Sequence, residues 1–126
     1  MLSERGDGSL DATFMKHVEE LYAGLEKKWP CDEYSYPVLE HLQNPAHRLA
    51  FELHHALGHL HKTIGAIEAA LEKIDHGADI ASLQDREMTE RIGKSLIDIF
   101  QLARILKIQP ADLERWIDVF LQESNA

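Results

Sequence analysis

Between Arg48 and Ile74 the residues Leu49, Leu53, Leu57, Leu60, Ile64, Ile67, Leu71 and Ile74 recur at steps of three and four. An α-helix returns side chains to one face at that interval. The stretch therefore reads as a long amphipathic helix with one face committed to a core. Asn44 supplies an N-cap and Pro45 a first helical position whose missing N–H costs nothing. His76-Gly77 closes the helix, with glycine as the left-handed cap. The chain has only 7 glycines and 4 prolines in 126 residues, too few for a fold built on many tight β-turns.

Other helices follow from the same signals. Ser9 or Asp11 is placed to cap a first helix running to about Lys28, with Phe14, Val18, Leu21, Tyr22 and Leu25 as its buried stripe. Trp29-Pro30 ends it, because the residue before proline is pushed out of the α region. Residues 30–44 form a connector with room for a short helix at Val38–Leu42. Ser82, with Asp85 three residues on, resembles a capping box and predicts a further long helix to about Lys107. Its apolar residues (Ile92, Leu96, Ile97, Ile99, Phe100, Leu102, Ala103, Ile105, Leu106) cover most of its circumference. Arg91, Lys94, Asp98 and Gln101 remain as a narrow polar line. Pro110 starts a last helix with Leu113, Trp116, Ile117, Phe120 and Leu121 as its stripe. The prediction is an all-α bundle of four main helices, the two longest antiparallel at its centre because their link is short. Residues 1–10 read as a flexible tail and 11–126 as one domain. A helix apolar on nearly all sides also predicts a homo-oligomer, a dimer or a dimer of dimers.

Charge narrows the partners. A net charge of −9 argues against polymeric nucleic acid, which needs a basic face, although a local basic patch can still hold a phosphate. Cys31 is the single cysteine, so no intramolecular disulfide forms, and it reads as an incidental packing thiol. No apolar run approaches the ~18 residues of a membrane span, and the first residues lack the apolar core of a signal peptide. The expectation is a cytoplasmic protein without a membrane partner.

The helix pair at 45–75 and 85–108 resembles the MazG-like family of all-α nucleoside-triphosphate pyrophosphatases. Leu53-His54-His55-Ala56-Leu57-Gly58-His59-Leu60 matches the leucine and glycine positions of that family's L-x-E-E-x-G-E-L pattern. Leu102-Ala103-Arg104-Ile105-Leu106-Lys107-Ile108, followed by Asp112-Leu113-Glu114, matches the end of its second motif. The resemblance covers roughly residues 14–123. It implies a helical bundle and cleavage of a nucleoside triphosphate between the α and β phosphates, with Mg²⁺ held by carboxylates. Here the carboxylates are replaced. The paired glutamates fall on His55 and Ala56, the third on His59, and the E-x-x-D pair on Arg91 and Lys94. These side chains cannot build the oxygen-rich shell that Mg²⁺ requires.

Three readings follow. At 100° per residue Glu52, Ala56, His59 and Thr63 share one helix edge. Antiparallel packing then predicts Ala56 opposite Lys94, His59 opposite Arg91 and Glu52 opposite Asp98. In the first reading Arg91 and Lys94, with His59, hold a nucleotide or phosphate directly, and the Mg²⁺ site is lost. In the second, an active pyrophosphohydrolase uses a shifted metal site of Glu52, His59 and Asp98, which suits Zn, Mn, Fe or Ni better than Mg. His55 and His59, at i and i+4, are spaced to share one ion. In the third, the charges form an ion-paired interhelical seam and the chain is an interaction or assembly protein. His47, His54 and His61 lie seven apart and predict a separate stripe bordering the apolar face. His55-x-Leu57 with Gly65-Ala66 is also similar to histidine-phosphotransfer domains. Those carry Lys and Gly where Gly58 and His59 stand, and a bulky His59 crowds a phosphohistidine. Trp29 and Trp116 read as core or interface anchors, with stacking on a nucleobase as the alternative.

Overall fold

The computed structural model describes residues 9–83 and 85–124, with side chains from Thr13 onward. The tail expected over the first ten residues lies outside this range, except that Ser9 and Leu10 already belong to a helix. Four α-helices follow in order: α1 (Ser9–Lys28), α2 (Pro45–Asp75), α3 (Arg86–Ile105) and α4 (Pro110–Ser124). Short 3-10 turns at Pro37–His41 and Ile80–Leu83 interrupt the two longer links. No strand occurs among the described residues, and no helix is long and apolar enough to cross a membrane. The Ser9 and Asp11 side chains proposed as caps are not among those described.

Local chemistry fixes the helix ends. Asn44 Oδ1 accepts from Ala46 N at 2.8 Å and His47 N at 3.4 Å, satisfying two of the amides that α2 leaves unpaired. Gly77, at φ 98°, ends α2, with Gly77 N–H donating to Ile74 O and Ala78 N–H to Lys73 O, both at 3.0 Å. The same arrangement ends α3 without glycine. Lys107 sits at φ 61°, and Ile108 N–H donates to Ala103 O at 2.9 Å. The N-cap of α3 is Asp85 rather than Ser82. Its side chain accepts from Met88 N at 2.9 Å, while Ser82 is spent in the 3-10 turn, donating its N–H to Asp79 O.

The two longest helices pack closely and antiparallel. Thr63 lies twelve residues before Asp75, and Asp98 twelve after Arg86. The Thr63 hydroxyl donates to Asp98 Oδ2 at 3.1 Å. The hairpin is therefore level at its turn, and this sets the register. Asp98 faces Thr63, and Glu52 faces Arg104, correcting the expected Glu52–Asp98 pairing.

α1 packs against α3 and α4, and Tyr22 Oη donates to Ile108 O at 2.9 Å, tying α1 to the α3–α4 link. The buried core is small: Val18, Leu25, Leu39, Ala56, Ala70, Ala103 and Ile105. Leu39, in the first 3-10 turn, is the one fully buried large side chain among the described residues. The expected α1 stripe is buried at Val18 and Leu25, but the α2 and α4 stripes are not covered by the chain's own contacts, with Leu49, Leu57, Ile64 and Leu71 of α2 exposed. Phe14 on α1 is 53% exposed, and Trp116 and Phe120 on α4 are 71% and 64% exposed. α3 is turned so that its polar line faces α2, with Asp98 only 6% exposed, while Ile92, Leu96 and Ile99 face outward. His47, His54 and His61 are exposed.

Candidate functional site

Between α2 and α3 lies a groove of about 650 Å³. Glu52, His55, Ala56, His59, Lys62 and Thr63 line it from α2, and Arg91, Lys94, Asp98 and Gln101 from α3. Every residue singled out from the sequence, Glu52, His55, His59, Arg91, Lys94 and Asp98, borders this one cavity. Trp29, Cys31 and Tyr36 close it from the end of α1 and the connector. The pattern reading did not place Tyr36, Phe51 or Lys62 here. Lys62 was findable, since it follows His59 by three residues on the same helix edge. Tyr36 was not, because its position depends on how the connector folds.

The connector is folded by short backbone contacts. Tyr36 N–H donates to Asp32 O at 2.9 Å, and Leu39 N–H donates to Tyr36 O at 2.9 Å. Leu39 then plugs into the core, and Arg48 reaches back to Glu33 at 3.5 Å. The result carries the Tyr36 ring edge-on against His55, with ring centres 4.6 Å apart, and against Phe51, at 5.5 Å. His59 contacts His55 at 4.7 Å and lies parallel to Trp29 at 6.5 Å. One end of the groove is thus walled by rings.

Electrostatics divide the lining. Glu87 pairs with Arg91 at 3.5 Å and Glu90 with Arg86 at 3.1 Å. Arg104, largely buried, reaches Glu26 at 3.7 Å and Glu52 at 3.9 Å and donates to Gln101 Oε1 at 3.0 Å, joining three helices. Asp98 is held by the Thr63 hydroxyl. After these pairings Lys62 and Lys94 remain without a carboxylate partner. Lys62 directly precedes Thr63 on α2, and Lys94 stands one turn before Asp98 on α3.

Protonation follows burial. Burial, then the neighbouring His59, lowers the His55 pKa below the ordinary histidine value, so its imidazole is neutral at physiological pH. Burial, then the Glu52 carboxylate, pushes the Cys31 thiol up, which makes it a poor nucleophile. Burial likewise raises the Tyr36 phenol.

The donor set does not fit Mg²⁺. Three of the four carboxylates bordering the groove already have guanidinium partners, and Asp98 alone cannot supply an oxygen-rich shell. Among the described residues, no three His, Cys, Asp or Glu side chains are grouped to hold an ion. Glu52, His55, His59 and Asp98 therefore share the cavity without forming one ligand cluster. Arranged this way, the site offers two free ammonium groups, a buried acceptor and an aromatic end. No family model matches the chain, and comparisons with curated proteins and with solved structures return no match.

Proposed function

We propose that this chain binds a phosphorylated small molecule of the nucleotide class in the α2–α3 groove, and does not hydrolyse it through Mg²⁺ chemistry. The observation that carries the reading is the pair Lys62 and Lys94, cations bordering the cavity that make no ion pair with the four carboxylates around it. Anionic oxygens supply the missing partners through charge-assisted hydrogen bonds. Arg91 adds a planar donor once Glu87, which is exposed, gives way. The ring-walled end, with Trp29, Tyr36, Phe51 and His59, suits a planar base by stacking. The likeness to MazG-like proteins supports the same ligand class, and the displacement of their carboxylates by His55, Ala56, His59, Arg91 and Lys94 supports binding without their hydrolysis.

The test is thermal stabilisation by nucleoside mono-, di- and triphosphates in EDTA, with inorganic phosphate as comparison. Stabilisation that grows with phosphate number and shrinks in Lys94→Gln is expected. No shift at millimolar nucleotide overturns the proposal. Pyrophosphate release in Mg²⁺, Mn²⁺ or Zn²⁺ instead favours the active-enzyme alternative.

A second reading concerns assembly. The outward apolar residues of α3 and α4 favour a homo-oligomer, because exposed large apolar side chains on a helix face suit a subunit contact. Sedimentation at micromolar concentration tests it, and a monomer under those conditions refutes it.

A further inference from the structure

The ring-walled end of the groove brings two polar atoms onto a single imidazole nitrogen. His55 Nε2 lies 3.1 Å from Tyr36 Oη and 3.1 Å from His59 Nε2. An imidazole nitrogen has a single site there, either one lone pair or one N–H. It can form one well-directed hydrogen bond, so one of the two neighbours is left over. Tyr36 Oη from the connector and His59 Nε2 from α2 thus both stand 3.1 Å from His55 Nε2. His55 and His59 occupy successive turns of α2, the spacing that lets two imidazoles meet one ion. Two nitrogens each ~2.0–2.1 Å from a metal, at angles between octahedral and tetrahedral, stand about 2.9–3.4 Å apart. The observed separation falls inside that window.

We propose that His55 Nε2, His59 Nε2 and Tyr36 Oη bind one divalent transition-metal ion, with solvent completing its shell. Two imidazoles and a phenol select the zinc, nickel and copper class over Mg²⁺ or Ca²⁺. Cys31 borders the same cavity, near enough to Tyr36 to help raise its phenol pKa, and is assigned no role as a donor. The site differs from the Glu52, His59 and Asp98 set considered from the sequence, because Asp98 is turned to Thr63 and Glu52 to Arg104. It is also independent of the lysine pair, so failure of nucleotide binding leaves it standing.

The experiment uses the full chain, prepared without added histidines and stripped with EDTA. Zn²⁺, Ni²⁺ and Cu²⁺ are titrated singly by calorimetry, with Mg²⁺ as control and Co²⁺ as a spectroscopic probe. One ion per chain is expected for the transition metals and none for Mg²⁺. His59→Ala, at an exposed position where the fold tolerates change, lowers affinity at least about tenfold, the loss seen even for outer partners of metal ligands. Tyr36→Phe lowers it less and alters the Co²⁺ absorption. His61→Ala, on the same helix but outside the groove, leaves it unchanged. Absence of stoichiometric binding overturns the proposal, and so does equal binding by the wild-type and His59→Ala chains.

Discussion

The seam between α2 and α3 and the outer faces of α3 and α4 invert the usual arrangement of a small domain. The seam buries Asp98, Gln101 and Ser95, each with a hydrogen-bond partner or neighbour of its own. The outside shows Ile92, Leu96, Ile99, Trp116 and Phe120 to solvent. Folding for stability alone would turn α3 the other way. The chain instead spends its closest helix contact on polar groups, which is the arrangement expected where a cavity must recognise something polar. The apolar outside is what a subunit contact would cover.

Four experiments break or sharpen that contrast. The largest effect belongs to the seam's support. Leu39→Ala removes a fully buried leucine, which anchors the connector beside the groove. It should cost about 2–5 kcal/mol in urea unfolding, and a loss under about 1 kcal/mol would show that the connector does not hold the site closed. Next comes the outside. Replacing Trp116 and Phe120 together with serine should convert an oligomer to a monomer by sedimentation, while leaving the helical circular dichroism in place. If mass is unchanged, those residues are not the contact.

A smaller effect concerns His55. Its folded-state pKa lies below the value of the unfolded chain, so the unfolded chain takes up the proton first as pH falls. The stability it contributes is complete above about pH 6.5 and is lost as pH drops through the folded value. Between pH 7.5 and 5 the melting temperature of the wild type should therefore fall further than that of His55→Gln. Equal slopes would mean that the seam does not shield this ring. The smallest effect, at the edge of both regions, is at Lys107. A non-glycine residue in the left-handed region is mildly strained, so Lys107→Gly should stabilise by roughly 0.5 kcal/mol after its greater unfolded-chain entropy is counted. Destabilisation would show that the lysine side chain contributes more than its backbone costs.

What could be read in advance divides along physical lines. Helix ends depend on a few adjacent residues, so Asn44-Pro45, His76-Gly77 and Pro110 marked them correctly. Asp85 replaced Ser82 as a cap because the intervening residues formed a 3-10 turn, a choice with little local signal. The polar line of Arg91, Lys94, Asp98 and Gln101 was visible as a helical edge, and so was its placement toward α2. Which residue meets which was not visible. Level hairpin ends put Asp98 against Thr63, and that depends on how the whole ten-residue link returns. The apolar stripe of α4 was legible as a pattern, but a pattern names a face and not its cover. Tyr36 was hidden because a connector residue reaches a helix groove only through tertiary folding.

The delivery of Tyr36 by a leucine-anchored segment has a practical consequence. An excised peptide spanning only the α2–α3 hairpin would keep both unpaired lysines and both ring nitrogens, yet it would be missing the phenol and the indole that complete the pocket. Truncation from the N-terminal side thus becomes a way of switching off one half of the cavity's chemistry while sparing the other.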